Sequence, residues 1–412
     1  MNRFIIMLLL VFAINNLSAQ NKIKKAIFII ADGIPADVIK KLNLPNFKKI
    51  AHQGGFAKAL VGGEKGAYSQ TPTISAVGYN SILTGTWVNK HNVWDNDIAA
   101  PNYYYPTIFR LLKTQSPGKK IGIFSSWQDN RTKLVGDGMS ETGSIYFDYK
   151  FDGLELDTIN YPHDKKSDFM HRIDESVTNE AAKTIRENAP DLSWLYLEYT
   201  DDMGHMHGDS PEFYKAIGYM DEQVGRILNA IEYRQQNFNE DWLIVVTTDH
   251  GRDSATGRNH GGQSAREKGG WILTNGKGLN DRFIKQQSSI VDIMPTIARF
   301  MEISIPLDVA REVDGVPLIG KLSIVEPSID PGTQQAIIKW KGGNKKEKVK
   351  IWLTTTNNFK TGGKDEYQFL KEVPSGSQQA VIDLKNIPSA FYKIVLEGEN
   401  NSINRWIVKD AK

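Results

Sequence analysis

Four short clusters of carboxylate, imidazole and hydroxyl side chains are spread along the chain. They contain Asp32, Ser75, the pair Asp201 and His205, and the trio Asp249, His250 and His260. Carboxylate oxygens and neutral imidazole nitrogens bind zinc, and a hydroxyl beside a metal can act as a nucleophile. Together the clusters predict a two-metal hydrolytic site.

Most of these clusters follow an apolar run that is typical of a buried strand. The clearest runs are Ala26–Ile30, Ile121–Phe124, Trp194–Leu197 and Trp242–Val246. Between residue 25 and about residue 320, such runs alternate with longer amphipathic segments, which indicates an α/β fold with a mostly parallel central sheet flanked by helices. Since parallel strands end at one edge of a sheet, the clusters are expected to meet there.

Two long segments have the spacing of helices that cover the sheet. Residues 168–188 and 209–236 carry apolar side chains three or four positions apart. The second segment begins Asp209-Ser210-Pro211, which supplies a capping side chain and a proline suited to a first helical turn. Both helices are expected to bury one face.

The hydroxyl and carboxylate assignments have ordinary structural alternatives. Asp32 could cap a helix that begins near Pro35, and Ser75 could cap the helix that it opens. At a helix start a serine oxygen also lies beside unpaired backbone N–H groups, which favours an alkoxide and an incoming phosphate. Thr71 and Thr73 are competing hydroxyls, so the residue types alone leave the nucleophile open.

The segment around Ser75 resembles the nucleophile region of the alkaline phosphatase superfamily. In that region the nucleophile lies ten residues before the glycine of a Thr-Gly pair, and Thr84-Gly85 then points to Ser75. Sulfatases of the superfamily carry Pro and Arg at the second and fourth positions after the nucleophile, where this chain has Val77 and Tyr79. The resemblance implies that Ser75 is the nucleophile and argues against a sulfatase.

The later clusters are similar to motifs of the nucleotide pyrophosphatase/phosphodiesterase branch. Its Asp-x-x-Gly-His-x-x-Gly motif is matched by Asp201, Gly204, His205 and Gly208, in a segment expected to form a tight loop. Asp249-His250-Gly251 resembles its Asp-His-Gly motif, and His260 its later ligand. The short interval before His260 is closer to that of phosphoethanolamine transferases, which affects the expected substrate. Asp202 and His207 are expected to stay outside the ligand set.

The resemblance implies a complete site. One metal would be held by Asp201, His205 and His260, and the other by Asp32, Ser75, Asp249 and His250. Two zinc ions suit this mixture of ligands, with manganese or iron as alternatives. Asn96 would donate to a non-bridging phosphate oxygen, which favours a diester monoanion over a monoester dianion.

Three tryptophans near the nucleophile segment are candidates for stacking on a nucleobase or another flat group. They are Trp87, Trp94 and Trp127. Packing in the core is their ordinary alternative role.

The start of the chain and its composition indicate where the protein acts. Residues 1–19 form a basic start, a short apolar run and a small-residue end, which predicts a secretory signal peptide rather than a membrane anchor. The chain contains no cysteine, so disulfides and thiolate ligands are excluded. A net charge of +2 gives no indication of binding to a nucleic-acid duplex. A periplasmic or secreted protein with no membrane span in its mature form is expected.

The character of the chain changes after residue 326. Pro327 and Pro331 mark the expected boundary, and short alternating runs separated by turn residues follow. We therefore predict a catalytic domain over residues 20–326 and a small all-β sandwich over residues 327–412, similar to an immunoglobulin or fibronectin type III module and with an unknown partner.

The sequence thus predicts a two-zinc phosphodiesterase or nucleotide pyrophosphatase that acts on a small phosphate ester through a covalent phosphoseryl intermediate. A phosphomonoesterase or phosphonate-ester hydrolase is the alternative within the same chemistry. A binding protein without catalytic activity is the alternative from another class.

Overall fold

The structure is a computed structural model that describes residues 22–332, 334–342 and 346–409. The predicted signal peptide, residues 1–19, lies outside the described residues. Within the described ranges, no helix is both long enough and apolar enough to cross a membrane.

An eight-stranded sheet forms the centre of the larger part of the chain. Its strands are β1 (Ile23–Ala31), β2 (Gly55–Leu60), β3 (Ile121–Ser125), β4 (Tyr149–Phe151), β5 (Leu192–Leu197), β6 (Glu240–Thr247), β7 (Gly269–Thr274) and β8 (Ser288–Ser289). They are arranged in the order β4-β3-β5-β1-β6-β7-β2-β8. Only β7 runs antiparallel to its neighbours within this sheet, so the predicted mostly parallel sheet is confirmed.

Helices cover both faces of this sheet. They are α1 (Ala36–Ile39), α2 (Pro45–Gln53), α3 (Ser75–Thr84), α4 (Val88–His91), α5 (Ile108–Gln115), α6 (Asp168–Glu187), α7 (Tyr199–His207), α8 (Pro211–Asn237), α9 (Asp281–Ile284), α10 (Ile293–Phe300) and α11 (Leu307–Ala310). The two long predicted helices are α6 and α8. At the start of α8, the Ser210 hydroxyl accepts a hydrogen bond from the Phe213 N–H, as expected for a cap.

The central strands are apolar on both sides because each side packs under a layer of helices. Alternate residues of β1 enter different clusters: Phe28 and Ile30 pack with residues of α3 and α5, whereas Ile27 and Ile29 pack with residues of α6 and α8. In register, Ala31 of β1 lies beside Leu197 of β5, and the preceding residue lies beside the last residue of β6. The ends of β5, β1 and β6 therefore form one short edge.

The C-terminal part contains two antiparallel sheets. Its strands are β9 (Val325–Pro331), β10 (Gln335–Lys341), β11 (Lys348–Thr354), β12 (Gln368–Pro374), β13 (Gln379–Asp383), β14 (Phe391–Glu397) and β15 (Ser402–Val408). One sheet has the order β13-β10-β9 and the other β12-β11-β14-β15. Ile338 of the first sheet and Ile351 and Ile394 of the second belong to one buried cluster, so the predicted small sandwich is confirmed.

The prolines that suggested a boundary lie inside a strand. Pro327 and Pro331 belong to β9, which pairs with β10 at the edge of the three-stranded sheet. An edge strand tolerates proline because one side of its backbone has no ladder to complete. Ile324 and Val325 already belong to the buried cluster of the sandwich, so its packing begins before residue 326. A domain boundary after residue 326 remains a proposal.

Candidate metal centre

Three carboxylates converge at the edge formed by β5, β1 and β6. Asp32 directly follows β1, Asp249 follows β6 after one residue, and Asp201 lies in the first turn of α7 after β5. Asp32 and Asp249 are buried, with 1% and 0% of their surfaces exposed. The strand order therefore brings together residues that are far apart in sequence.

His250 is the common neighbour of the first group. Its Nε2 atom lies 3.3 Å from Asp32 Oδ1, 3.3 Å from Asp249 Oδ2 and 3.3 Å from Ser75 Oγ. The ligand atoms of Asp32, Asp249 and His250 lie within 4.8 Å of one another, a spacing that a single cation can bridge. Asp32 Oδ1 and Asp249 Oδ2 are buried and accept no hydrogen bond within the described ranges. Two buried oxygens of this kind fit a bound cation, because an unsatisfied buried carboxylate is otherwise costly.

A second group shares His250 with the first. Ligand atoms of Asp201, His250 and His260 also lie within 4.8 Å of one another. His205 Nε2 lies 3.0 Å from His260 Nε2 and 3.2 Å from Asp201 Oδ2, so it joins this group. The rings of His250 and His260 stack with their centres 3.7 Å apart. The structure thus brings all seven predicted ligands together, and their division between two ions stays a prediction.

The protein orients two of the imidazoles through their other nitrogen. His260 Nδ1 lies 2.8 Å from the Thr73 carbonyl oxygen, and His250 Nδ1 lies 3.0 Å from the Gly251 carbonyl oxygen. With Nδ1–H donating to a carbonyl, each Nε2 carries a lone pair that points into the cluster. This is the arrangement of metal-binding histidines.

The charges of the cluster are balanced against burial. Burial and, next in size, the negative charge of Asp201 together raise the pKa of Asp249 to about 7. Burial and the charges of Asp249 and Asp201 also raise the pKa of Asp32 well above its usual range. Burial lowers the pKa of His250 and of His260, which keeps both rings neutral and able to bind a cation. A divalent cation would offset the repulsion between the carboxylates.

Asp201 differs from the other two carboxylates. Burial opposes its ionisation, but the adjacent Arg252 guanidinium holds the pKa of Asp201 well below its usual range. Asp201 is therefore the carboxylate most firmly kept in its charged form.

Of the three candidate hydroxyls, that of Ser75 faces the cluster. Ser75 is the first residue of α3, and Ile74 rather than Ser75 occupies the cap position. The Thr71 hydroxyl donates to the Ser69 carbonyl oxygen, and the Thr73 hydroxyl donates to the Gly262 carbonyl oxygen. Both threonine hydroxyls are therefore bonded to backbone carbonyl oxygens, whereas Ser75 Oγ lies beside His250 at the positive end of α3.

Asn96 lies beside the nucleophile candidate. Its Oδ1 atom accepts a hydrogen bond of 3.0 Å from the backbone N–H of Ala76, the residue after Ser75. This bond fixes the amide so that its NH2 group is the end available to a ligand.

The three tryptophans have different environments. Trp87 is buried in the core, and Trp127 is partly buried against Tyr79. Trp94 is 49% exposed, and its indole donates to the Asn92 side chain. Of the three, Trp94 has the most exposed side chain, and it lies two positions before Asn96 in the sequence.

Three side chains that the sequence did not single out contact the ligands. The hydroxyls of Tyr79 and Tyr196 both donate to Asp32 Oδ2, which leaves Oδ1 turned toward His250. Arg252 pairs with Asp201 Oδ1. Tyr79 lies in the segment around Ser75, and Arg252 directly follows the Asp249-His250-Gly251 motif. Nothing in the sequence indicates that either side chain contacts a metal ligand.

The segment expected to be a tight loop is a helix. Asp201 and His205 are four apart in α7, so they share one helix face. Gly204 lies within this helix, where a Cβ atom would approach Arg252 Cζ to 2.2 Å, so the glycine serves close packing. Asp202 accepts a hydrogen bond from the Ser167 hydroxyl, and His207 is exposed. Neither belongs to the groups of possible metal ligands found among the described residues.

Comparison with known proteins identifies relatives of the larger part of the chain. A model of the family "Type I phosphodiesterase / nucleotide pyrophosphatase" matches residues 26–296. Venom phosphodiesterase CdcPDE of Crotalus durissus collilineatus is 24% identical over 229 residues, which are 54% of this chain and 25% of that protein. Ectonucleotide pyrophosphatase/phosphodiesterase family member 1 of Mus musculus is 22% identical over 221 residues, which are 52% of this chain and 22% of that protein.

The alignments with these two relatives thus cover no more than a quarter of the relatives' own length. Among solved structures, that of Ps i-CgsB in complex with k-i-k-neocarrahexaose superposes with a TM-score of 0.52 at 16% identity. The superposition covers 85% of this chain and 86% of that chain, and it shows a shared fold.

Proposed function

Because the chain belongs to the type I phosphodiesterase / nucleotide pyrophosphatase family, we propose that it is an exported two-zinc phosphodiesterase that uses Ser75 as its nucleophile. The observation that carries this proposal is the position of Ser75 Oγ, 3.3 Å from His250 Nε2 in the buried group with Asp32 and Asp249. The names of the relatives support phosphodiester or pyrophosphate substrates.

The reaction begins with attack of Ser75 Oγ on phosphorus. A bond forms between Oγ and phosphorus, the bond to the leaving oxygen breaks, and the first alcohol departs with the equivalent of the serine proton. The phosphoseryl intermediate still carries the second alcohol, so it is a nucleotidyl-seryl ester when the substrate is a nucleotide. Water then cleaves the new ester and restores the serine. When bound, two zinc ions would lower the pKa of the attacking hydroxyl and neutralise charge on the attacking and leaving oxygens.

The residues around Ser75 favour negative charge at its oxygen. Ser75 begins α3, so its oxygen lies at the positive end of the helix dipole. Asn96 is held by the Ala76 N–H, and its NH2 group is directed to donate to a non-bridging oxygen of the phosphate.

A diester is favoured over a monoester by the environment of Arg252. A monoester dianion is best met by an additional cation such as a guanidinium. Arg252 lies beside the site but is fully buried, and its guanidinium donates to the carbonyl oxygens of Gly33 and Arg258 and to Asp201. It is therefore turned away from substrate, and the amide of Asn96 is matched to a single negative charge.

The test compares three substrates with wild type and Ser75→Ala. Bis-p-nitrophenyl phosphate and thymidine 5'-monophosphate p-nitrophenyl ester are diesters, and p-nitrophenyl phosphate is a monoester. We expect higher kcat/KM for the diesters, and we expect Ser75→Ala to lose at least about 1000-fold in kcat/KM, which corresponds to about 4 kcal/mol of transition-state stabilisation. Zinc content of the variant should stay close to that of wild type, because the carboxylate and imidazole ligands remain.

Ser140→Ala is the matched control, because Ser140 is an exposed serine whose hydroxyl donates to the neighbouring Glu141 side chain. It should behave as wild type. Preference for the monoester would favour the phosphomonoesterase alternative, and unchanged turnover of Ser75→Ala would move the nucleophile to Thr71 or Thr73. Absence of both bound zinc and turnover would favour a binding protein.

A further inference from the structure

Arg252 occupies an unusual place for an arginine. It follows the Asp249-His250-Gly251 segment directly, and 0% of its surface is exposed. A fully buried arginine is rare and needs several acceptors to compensate for lost hydration. Its partners therefore indicate what it does.

The guanidinium of Arg252 joins three segments that form the candidate metal centre. Its Nε atom donates to the Gly33 carbonyl oxygen at 2.9 Å, next to Asp32 at the end of β1. One terminal nitrogen donates to the Arg258 carbonyl oxygen at 2.9 Å, in the loop that leads to His260. The other donates to the Asp201 carbonyl oxygen at 2.8 Å and pairs with Asp201 Oδ1.

Two glycines make room for this guanidinium. A Cβ atom on Gly204 would lie 2.2 Å from both Cζ and Nε of Arg252. A Cβ atom on Gly33 would lie 2.6 Å from an Arg252 terminal nitrogen and 2.4 Å from Asp201 Oδ1. Gly33 also has φ of +67°, a conformation that favours glycine. The small residues on both flanking segments thus fit the planar fork of the arginine.

The two oxygens of the Asp201 carboxylate have different partners. Oδ1 is held by Arg252, whereas Oδ2 lies 3.2 Å from His205 Nε2 in the ligand cluster. One oxygen is therefore fixed by the protein and the other remains directed toward a metal. Because Arg252 also bonds the backbone at Arg258, the same side chain sets the approach of the His260 loop.

We propose that Arg252 is a positioning residue for the metal bound by Asp201, His205 and His260, and that it acts through the fork geometry of its guanidinium rather than through its charge alone. This inference rests on the proposed metal centre, but it is independent of which phosphate ester is cleaved. An ammonium group has no planar fork and cannot reach all three segments at once. Partners that orient metal ligands typically contribute about 10- to 100-fold to metal affinity.

The experiment measures zinc affinity of the substrate-free full chain by competition with a chromogenic chelator. We compare wild type with Arg252→Lys, which keeps the charge, and Arg252→Met, which removes it. Both variants should bind one of two zinc equivalents about 10- to 100-fold more weakly, with the other equivalent little changed. Arg234→Lys is the matched control, since Arg234 is 8% exposed, pairs with Glu240 and lies at the far end of α8. It should lower stability without changing zinc affinity.

A second variant tests the same contact from the facing helix. Gly204→Ala places its methyl group on Arg252. With Arg252 present, it should therefore lower the affinity for the same zinc equivalent. In the Arg252→Met background the larger group is gone, and Gly204→Ala should cost markedly less than it does alone. Thermal unfolding of each variant separates folding from metal binding.

Three results would overturn the inference. Wild-type zinc affinity in Arg252→Lys would show that charge alone suffices. Lowered thermal stability of both Arg252 variants with unchanged zinc affinity would assign Arg252 a purely structural role. Equal effects of Gly204→Ala in both backgrounds would show that Gly204 does not act through Arg252. If wild type binds zinc but shows no diesterase activity, the result would instead count against the proposed function.

Discussion

Each carboxylate of the candidate centre has one oxygen held by the protein and one turned into the cluster. Asp32 receives two tyrosine hydroxyls on Oδ2, and Asp249 receives the Gly33 N–H on Oδ1. The remaining oxygens, Asp32 Oδ1 and Asp249 Oδ2, are buried and accept no hydrogen bond within the described part of the chain. The ligand identities could be predicted because they lie in short motifs. Their partners could not, because Tyr196 reaches Asp32 from 164 positions away.

A buried histidine near the nucleophile helix gives a prediction for pH. His91 is 0% exposed and lies 3.0 Å from the Ser81 hydroxyl of α3, and burial lowers its pKa from 6.5 to about 3. Because the unfolded state takes up a proton below pH 6.5 while the folded state does not, the stability from this neutral ring is lost as pH falls from about 6.5 to about 3.

The prediction is checked by urea unfolding at a series of pH values. Relative to His91→Gln, wild type should lose about 1.4 kcal/mol of unfolding free energy per pH unit in this window. Parallel pH profiles for the two proteins would show that His91 does not resist protonation in the fold.

At the level of elements, the sequence predicted the strands and helices whose pattern of apolar residues follows directly from which of their faces are buried. The four apolar runs became β1, β3, β5 and β6, and the two long amphipathic segments became α6 and α8. The prediction was wrong for α7, because Gly204 read as a loop residue, whereas in the structure it makes room for Arg252. It also missed β9, since an edge strand accepts the prolines that argue against a central one.

Helix α3 gives a prediction about a close contact between elements. A Cβ atom on Gly78 would lie 2.8 Å from both the Asp249 Cβ and the Asp249 carbonyl oxygen. Helix α3 therefore packs directly on the segment after β6 that carries Asp249 and His250. Gly78→Ala should therefore lower both stability and kcat by displacing Ser75 from His250. Glycine to alanine in an unobstructed helix has the opposite effect and stabilises by up to about 1 kcal/mol.

Gly218→Ala in α8 is the matched control, because a Cβ atom there meets nothing within 4 Å. Chemical denaturation and turnover of the two variants decide the matter. Equal stabilisation by both substitutions would contradict the tight packing of α3 against Asp249.

At the scale of the whole molecule, a buried network of charges joins the central α/β part to the sandwich. Lys90 of α4 lies 2.6 Å from Asp314 and donates to Asn404 of β15 at 3.0 Å. Lys393 of β14 pairs with Glu312 and, at 2.8 Å, with Asp365. Both lysine side chains are 0% exposed. The sequence predicted two parts but not this junction, because a lone lysine carries no sign that it will be buried.

The junction gives a prediction for stability. Lys393→Met leaves the Glu312 and Asp365 carboxylates buried without their cation, which should lower the free energy of unfolding by about 3 to 5 kcal/mol. Lys341→Met is the matched control, since the Lys341 side chain is 66% exposed in its pair with Glu326 and ion pairs at the surface contribute at most about 1 kcal/mol. Denaturant unfolding followed by tryptophan fluorescence provides the measurement, and similar losses for the two variants would contradict a stabilising junction.

The two-metal centre is tested most directly by anomalous diffraction at the zinc absorption edge from crystals grown with zinc. We predict two peaks roughly 3.5 to 4 Å apart, one beside Ser75 among Asp32, Asp249 and His250, and one among Asp201, His205 and His260. A single peak, or peaks away from these residues, would contradict this prediction.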